Sequence, residues 1–213
     1  MNSFTINEGL YINITPRGAY NAVHDNSNDI SRDILIKLLQ FDETPELSSE
    51  TLTKLFPDQS DDNVSLLNRM QDIGLISGQE KTESIPENNL EHMLSELLST
   101  LSDSGKALLA DKNGLYLGAS GFPHEAAEEL AAISANLSEV YQRHKDLLQG
   151  NLGFRQHAWG LVDAAGNAEV GFWPLYIGDH IFTLILHGLP QLNQPSFKLL
   201  VWLLIKRYGS TKE

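Results

Sequence analysis

From Leu199 to Ile205 the chain reads Leu-Leu-Val-Trp-Leu-Leu-Ile, an apolar run without a break. Pro195 stands ahead of it, where a first helical turn tolerates proline best. A helix with this run in it has no polar face to give to water and must be covered on two sides. One face is expected to lie on a sheet. The other, with Trp202, needs a different part of the same chain or a second protein. Lys198, Lys206, Arg207 and Lys212 bring cationic charge to this element, so docking against an acidic part of the same chain is the more economical arrangement. Leu199, Trp202, Lys206 and Arg207 are the residues expected at that docking surface.

A sheet for this helix can be read upstream. Asn88 and Asn89 can cap a helix whose apolar positions, Leu90, Met93, Leu94, Leu97, Leu98 and Leu101, form one stripe. Two short apolar runs follow, Ala107–Ala110 and Leu115–Leu117, joined by Asp111-Lys112-Asn113-Gly114, whose Asn-Gly supplies the left-handed backbone of a hairpin turn. After Phe122-Pro123 an Ala- and Glu-rich segment predicts a helix to about His144, with Glu125, Glu128 and Glu129 near its start and Arg143, His144 and Lys145 near its end, as the helix dipole favours. Strand patterns then cover Phe154–Val162, Ala168–Leu175 and Ile181–Leu186. Pro174 predicts a bend or an end in the second of these, and the unbroken apolar run of the third predicts a central strand buried on both faces.

Two seams run along the Ala-rich helix. Ala126, Leu130, Ile133, Leu137 and Tyr141 are expected to pack on the sheet. Ala127, Ala131, Ser134 and Ser138, with Ala135 alongside, are all small, which suits close approach of a second helix or simply a solvated face. On the strand that follows, Phe154, Arg155, Gln156, His157, Ala158 and Trp159 alternate between two faces, and no Pro or Lys blocks pairing with a further strand.

The order helix, two strands, helix, three strands, helix, with the "LLADKNGLYLGASG" hairpin and the "WGLVDAAGNAEVGFW" turn, resembles the Roadblock/dynein light chain (MglB-like) domain over residues 88–213. The resemblance implies an α+β fold, an α/β sandwich in which helices cover a five-stranded antiparallel sheet of the Roadblock, longin and profilin kind. It also implies a homodimer paired through the Ala-rich helix and the edge strand after it, which assigns the small seam and residues 154–159 to the interface. Members of the family act as scaffolds or regulators, some of them ordering a small Ras-like GTPase without donating a catalytic residue. No catalytic position is carried over, because no motif here matches one.

Residues 1–80 read differently. A strand at Gly9–Thr15 is expected to end at Pro16-Arg17-Gly18, with a polar turn-rich stretch from His24 to Asp29. Three helices follow: one from near Ser31 with Ile34, Ile36, Leu38 and Leu39 apolar, one from Ser48 to Phe56, and one capped by Asp61-Asp62-Asn63 with Val64, Leu66, Leu67, Met70 and Ile73 on one face. Gly74 predicts a C-cap and Leu75–Gly78 a short strand. This arrangement resembles a winged helix, yet the third helix offers only Arg69 to a phosphate backbone beside Asp61, Asp62 and Asp72. The unit is therefore read as an acidic protein-interaction domain. The polar run Gly78–Asn89 predicts a linker, dividing the chain into residues 1–80, a linker at 81–87, and residues 88–213.

Charge and composition narrow the function. The net charge of −13 is uneven: residues 1–90 carry 15 Asp and Glu against 6 Lys and Arg, and residues 91–213 carry 13 against 9. Nucleic acid and anionic membrane are poor partners for the acidic half, and a basic protein surface is a better one. With no cysteine, thiol chemistry and disulfides are excluded. No histidine pair has the spacing of a zinc hydrolase, no phosphate loop occurs, and Gly118-Ala119-Ser120-Gly121 lacks the spacing of a nucleophile elbow. No apolar window approaches a membrane span, and the N-terminus lacks the pattern of a secretion signal.

The expectation is a cytoplasmic, non-enzymatic adaptor without metal or cofactor. Its partners would be a second copy of itself and a small GTPase, a motility, secretion or transport assembly, or another protein with a basic surface. A transcription regulator with a small-molecule sensor domain is the competing class, which an apolar pocket between sheet and last helix would favour. A structural subunit of a fixed complex is the third.

Overall fold

The computed structural model describes residues 9–56, 62–86, 90–154 and 157–209. Strand β1 (Tyr11–Ile14) runs directly into helix α1 (Pro16–Val23), where Pro16-Arg17-Gly18 points to a turn. The cap is the reason for the difference. Thr15 stays extended and its Oγ accepts from the Gly18 N–H at 3.0 Å, while Pro16 sits in the first turn, where a missing N–H costs nothing. Gly18 is required by space: a Cβ there would lie 2.0 Å from the Leu75 carbonyl oxygen.

Helices α2 (Ile30–Leu39), α3 (Ser49–Leu55) and α4 (Asp62–Asp72) lead to strand β2 (Ile76–Gln79). Asp29 and Ser48 cap α2 and α3, with side-chain oxygens accepting from Ser31 N and Thr51 N. Gly74, at φ +72°, ends the turn after α4. Strand β2 pairs antiparallel with β1, Ile14 opposite Ile76. Among the described residues this part of the chain thus holds four helices and a two-stranded sheet.

Helix α5 (Leu90–Ser99), strands β3 (Ala107–Asp111) and β4 (Tyr116–Ser120), helix α6 (His124–Lys145), a π-helical turn (Asp146–Asn151), strands β5 (Trp159–Val162), β6 (Ala168–Ile177) and β7 (His180–His187), and helix α7 (Pro195–Tyr208) complete the order. The strands form one antiparallel sheet in the order β4-β3-β7-β6-β5, an α+β architecture with helices on both faces. The hairpin between β3 and β4 closes through Asp111, whose carboxylate accepts from the N–H of Asn113 and of Leu115 at 2.9 Å, with Gly114 at φ +81°. Asp163 and Gly166 do the same between β5 and β6.

Strand β7 lies at the centre, as its apolar run requires. Strand β6 continues through Pro174, correcting the expected bend. The Gly188 N–H to Glu169 oxygen bond sets the register, so Pro174, opposite Thr183, turns its nitrogen away from β7. Strand β5 reaches only as far as Phe172 on that side, and no ladder bond is lost.

The pleat sends Leu109, Leu175, Leu184 and Leu186 to the face covered by α5 and α7, and Leu108, Ala110, Phe172 and Ile185 to the face covered by α6. The outer side of α7 is covered by residues before 86. The Trp202 indole N–H donates to the Phe41 carbonyl at 2.9 Å. Lys206 Nζ donates to the Gln40 carbonyl at 2.8 Å and lies 2.6 Å from the Asp42 carboxylate. Buried Lys198, not singled out for this role from the sequence, meets Glu83 at 2.5 Å and Asn13 at 3.1 Å. Arg207 turns the other way, to Glu91 on α5, and Leu199 is half-buried.

Residues 82–85, inside the run that predicts a linker, lie along residues 42–44: Thr44 N donates to the Glu83 carbonyl and Ile85 N to that of Asp42. One continuous apolar cluster runs from Ile12 through Leu35 and Leu98 to Ile205. Because α1 sits against Leu75 with no room for a methyl group, Gly18→Ala should lower stability by about 2–3 kcal/mol in urea unfolding. Gly150→Ala, where an added Cβ meets nothing within 4 Å, should leave stability within about 0.5 kcal/mol.

Candidate functional site

Helix α6 turns toward the sheet the small seam that was expected at an interface. Ala127, Ala131 and Ser134 are buried against the sheet beside Leu108, Ala110, Phe172 and Ile185. They are small because sheet and hairpin come very close. A Cβ on Gly114 would lie 3.1 Å from Ala132 Cα and 3.4 Å from Ala135 Cβ. This corrects the assignment of the small seam to a dimer interface: Ala127, Ala131 and Ser134 are covered within the chain, and Ala135 and Ser138 are half-buried.

The seam expected on the sheet lies partly there, with Ala126, Leu130 and Leu137 half-buried and Ile133 turned outward. Ala126, Leu130, Ile133, Leu137, Val140, His144 and Leu147 alternate in steps of four and three, the spacing of a helix-pairing stripe. Ile133 is 42% exposed and Val140 38%, while Leu130 and Leu137 are half-buried at the rim of the sheet core. Tyr141, from the same predicted seam, is buried. Exposed apolar side chains continue past the helix at Leu147, Leu152 and Phe154, and on β5 at Leu161, which is 60% exposed, and Val162. Among the described residues no strand pairs with the outer edge of β5.

The stretch expected to form the rest of this edge is shorter in the structure. Strand β5 begins at Trp159, because the π-helical turn extends the helical region to Asn151. Arg155 and Gln156 lie outside the described residues. Phe154 and Ala158 are exposed, and Trp159 is half-buried against the α6 side of the sheet. His157, expected at an interface, is instead buried within the chain between the rings of Tyr141, at 4.8 Å, and Tyr176, at 5.6 Å. Its Nδ1 is 3.2 Å from the Tyr176 hydroxyl and its Nε2 2.7 Å from Gln149 Nε2.

His157 therefore ties the π-helical turn to β6. Burial holds its imidazolium below the usual 6.5 and pushes the Tyr176 phenol up to about 12. The space beside it, lined by Ser138, Tyr141, Tyr176 and Thr183, amounts to about 20 Å³, room for a water-sized guest only. The chemistry of the face is thus that of an interface, apolar side chains beside an open strand edge. Sequence periodicity contained the signal for it in the steps of four and three, but the larger side chains of that seam pointed equally to the sheet.

Among the described residues no group of three or more His, Asp or Glu could hold a metal ion, and no helix is long and apolar enough to cross a membrane. No protein-family model and no curated protein matches the chain. Among solved structures, the Roadblock/LC7 domain from Streptomyces avermitilis is similar, with 13% identity and a TM-score of 0.38, over 55% of this chain and 92% of that one. Myxococcus xanthus MglB is similar at 14% identity and a TM-score of 0.36, over 58% of this chain and 92% of its own.

The clamp on His157 generates a pH prediction. Its folded pKa is depressed, so as pH falls through 6.5 the unfolded chain takes up the proton first and stability is lost until the folded value is reached. The urea midpoint should fall between about pH 7.5 and about pH 5.5, and His157→Gln should remove part of that fall.

Proposed function

We propose that two copies of this chain pair through the outward face of α6, the π-helical turn and strand β5, and that the dimer is a non-catalytic adaptor or regulator. The observation that carries the reading is the presence, on elements consecutive in the chain, of exposed apolar side chains at Ile133, Val140, Leu147 and Leu161 and an unpaired strand edge. An exposed apolar stripe and an open edge each favour association, and a two-fold pairing satisfies both at once. The resemblance of residues 88–213 to the Roadblock domain supports the same mode of pairing. It also extends the proposal to the partner, a small Ras-like GTPase or a motility, secretion or transport assembly in the cytoplasm, ordered by contact rather than by a donated catalytic group. In this reading the acidic residues 1–80, which share a core with the rest of the chain, also provide an interaction surface for a protein with a basic surface.

Light scattering tests the pairing. The full chain should have twice the 23.7 kDa of one copy. Ile133→Asp combined with Val140→Asp should halve that mass and leave the unfolding midpoint of the isolated chain unchanged, since both side chains face water. Ala131→Glu should act differently, lowering stability by about 3 kcal/mol or more, because it places an unpaired charge against the sheet. A single-chain mass for the unaltered protein would contradict the proposal.

A further inference from the structure

A second open edge lies in the acidic half. Thr15 N donates to the Leu75 carbonyl, so the odd-numbered pairs of β1 and β2 exchange hydrogen bonds, and the backbone groups of Ile76 and Gly78 point away from β1. On the far side of β1 the corresponding groups are used, with Ile12 N donating to the Pro45 carbonyl and Leu47 N to that of Leu10, both at 2.8 Å. Among the described residues no strand covers the outer side of β2. Its sequence, Ile-Ser-Gly-Gln, has neither a charge nor a proline, the usual guards of an exposed edge. Ser77 and Gly78 leave room for a second backbone to approach.

Beside this edge, between α3, α4 and the two strands, is a groove of about 180 Å³ with Leu47, Leu52, Val64, Leu67 and Ile76 among its walls. It is smaller than the roughly 300–1,000 Å³ of sites for cofactor-sized ligands, and it suits a single apolar side chain. No charged side chain lines it. The stretch of sequence that supplies most of its walls, 42–81, carries 9 Asp and Glu against 3 Lys and Arg.

We infer that this groove and the edge of β2 dock an extended, basic segment of a partner protein, which adds as a strand beside Ile76–Gly78 and seats one apolar side chain between α3 and α4. The acidic surroundings select a basic partner and speed its encounter. The inference rests on the adaptor reading only in taking the chain to be a protein binder; it does not depend on pairing through α6.

Fluorescence anisotropy of the full chain with lysine-rich heptapeptides carrying one central Leu, Ile or Phe tests it, with aspartate-rich counterparts as the contrast. At least one lysine-rich peptide should bind about tenfold or more tightly than its acidic counterpart. Gly78→Pro removes the outward N–H without breaking a bond to β1, and a Cβ at this position meets only Leu10, its Cδ1 at 3.3 Å and its Cβ at 3.9 Å. Val64→Trp fills the groove. Each should weaken binding about tenfold or more, while the paired Ile133→Asp and Val140→Asp changes leave it as it was. Circular dichroism of both variants confirms that they fold. Equal binding of basic and acidic peptides, binding by none, or insensitivity to both groove variants would overturn the inference. So would binding seen only after removal of residues 1–8, or self-association that Gly78→Pro abolishes, because these give the edge to this chain itself.

Discussion

A helix that is apolar from Leu199 to Ile205 leaves no side for water, and α7 meets this constraint by lying between two layers. Leu200 and Leu204 belong to the core beneath the sheet, whereas Trp202 reaches outward to the Phe41 carbonyl and Lys206 to that of Gln40. Neither layer could bury the helix alone. The position of the acidic half follows from this: α1, the loop at residues 40–44 and residues 82–85 are held where they cover α7, with Lys198 and Glu83 paired at the margin. A pair with one half-exposed partner contributes little net stability, but separating it would leave the buried Lys198 ammonium without its carboxylate.

With α7 committed to one face of the sheet, α6 has the other face to itself. Its alanines and Ser134 let it approach closely, and that closeness turns the larger side chains, Ile133 and Val140, toward solvent. The same helix therefore packs on the sheet through its smallest residues, with Leu130, Leu137 and Tyr141 beside them, and leaves Ile133 and Val140 exposed. Next to it, the Gln149, His157 and Tyr176 contacts tie the π-helical turn to β6, and Leu147 and Leu152 of that region are exposed. The acidic half has an analogous feature in β2, an unguarded edge beside an apolar groove. Each half of the chain thus has, among the described residues, a strand edge without a partner, β5 in an apolar setting and β2 in an acidic stretch of sequence.

Much of this was legible in the residues. The two Asp-to-Gly hairpins, the central β7, the start of α7 at Pro195 and the element order from α5 to α7 all follow from local rules that the tertiary structure does not override. Helix α1 was not read because Pro-Arg-Gly is a turn by composition, and only the extended Thr15 ahead of it converts the proline into a helix start. The small seam of α6 was assigned to an interface because small residues at helical spacing mean close approach without naming the partner; here the partner is the chain's own sheet. His157 was placed on the strand face because period-two alternation was carried back through Phe154, beyond the point where the π-helical turn had displaced the strand. The polar run at residues 81–86 has no apolar periodicity, and its contacts with residues 42–44 are made by backbone groups and the hydroxyls of Thr44 and Thr82, which an apolar pattern cannot register.

The central claim is that α7 is shared by both halves of the chain, and hydrogen exchange at the Trp202 indole N–H tests it most directly. If the acidic half is part of one cooperative structure, that proton, bonded to the Phe41 carbonyl, should exchange only through the same opening that frees the backbone amides of β7. Exchange at Trp202 that is fast while the β7 amides stay protected would show the acidic half lifting away by itself, and would contradict the account.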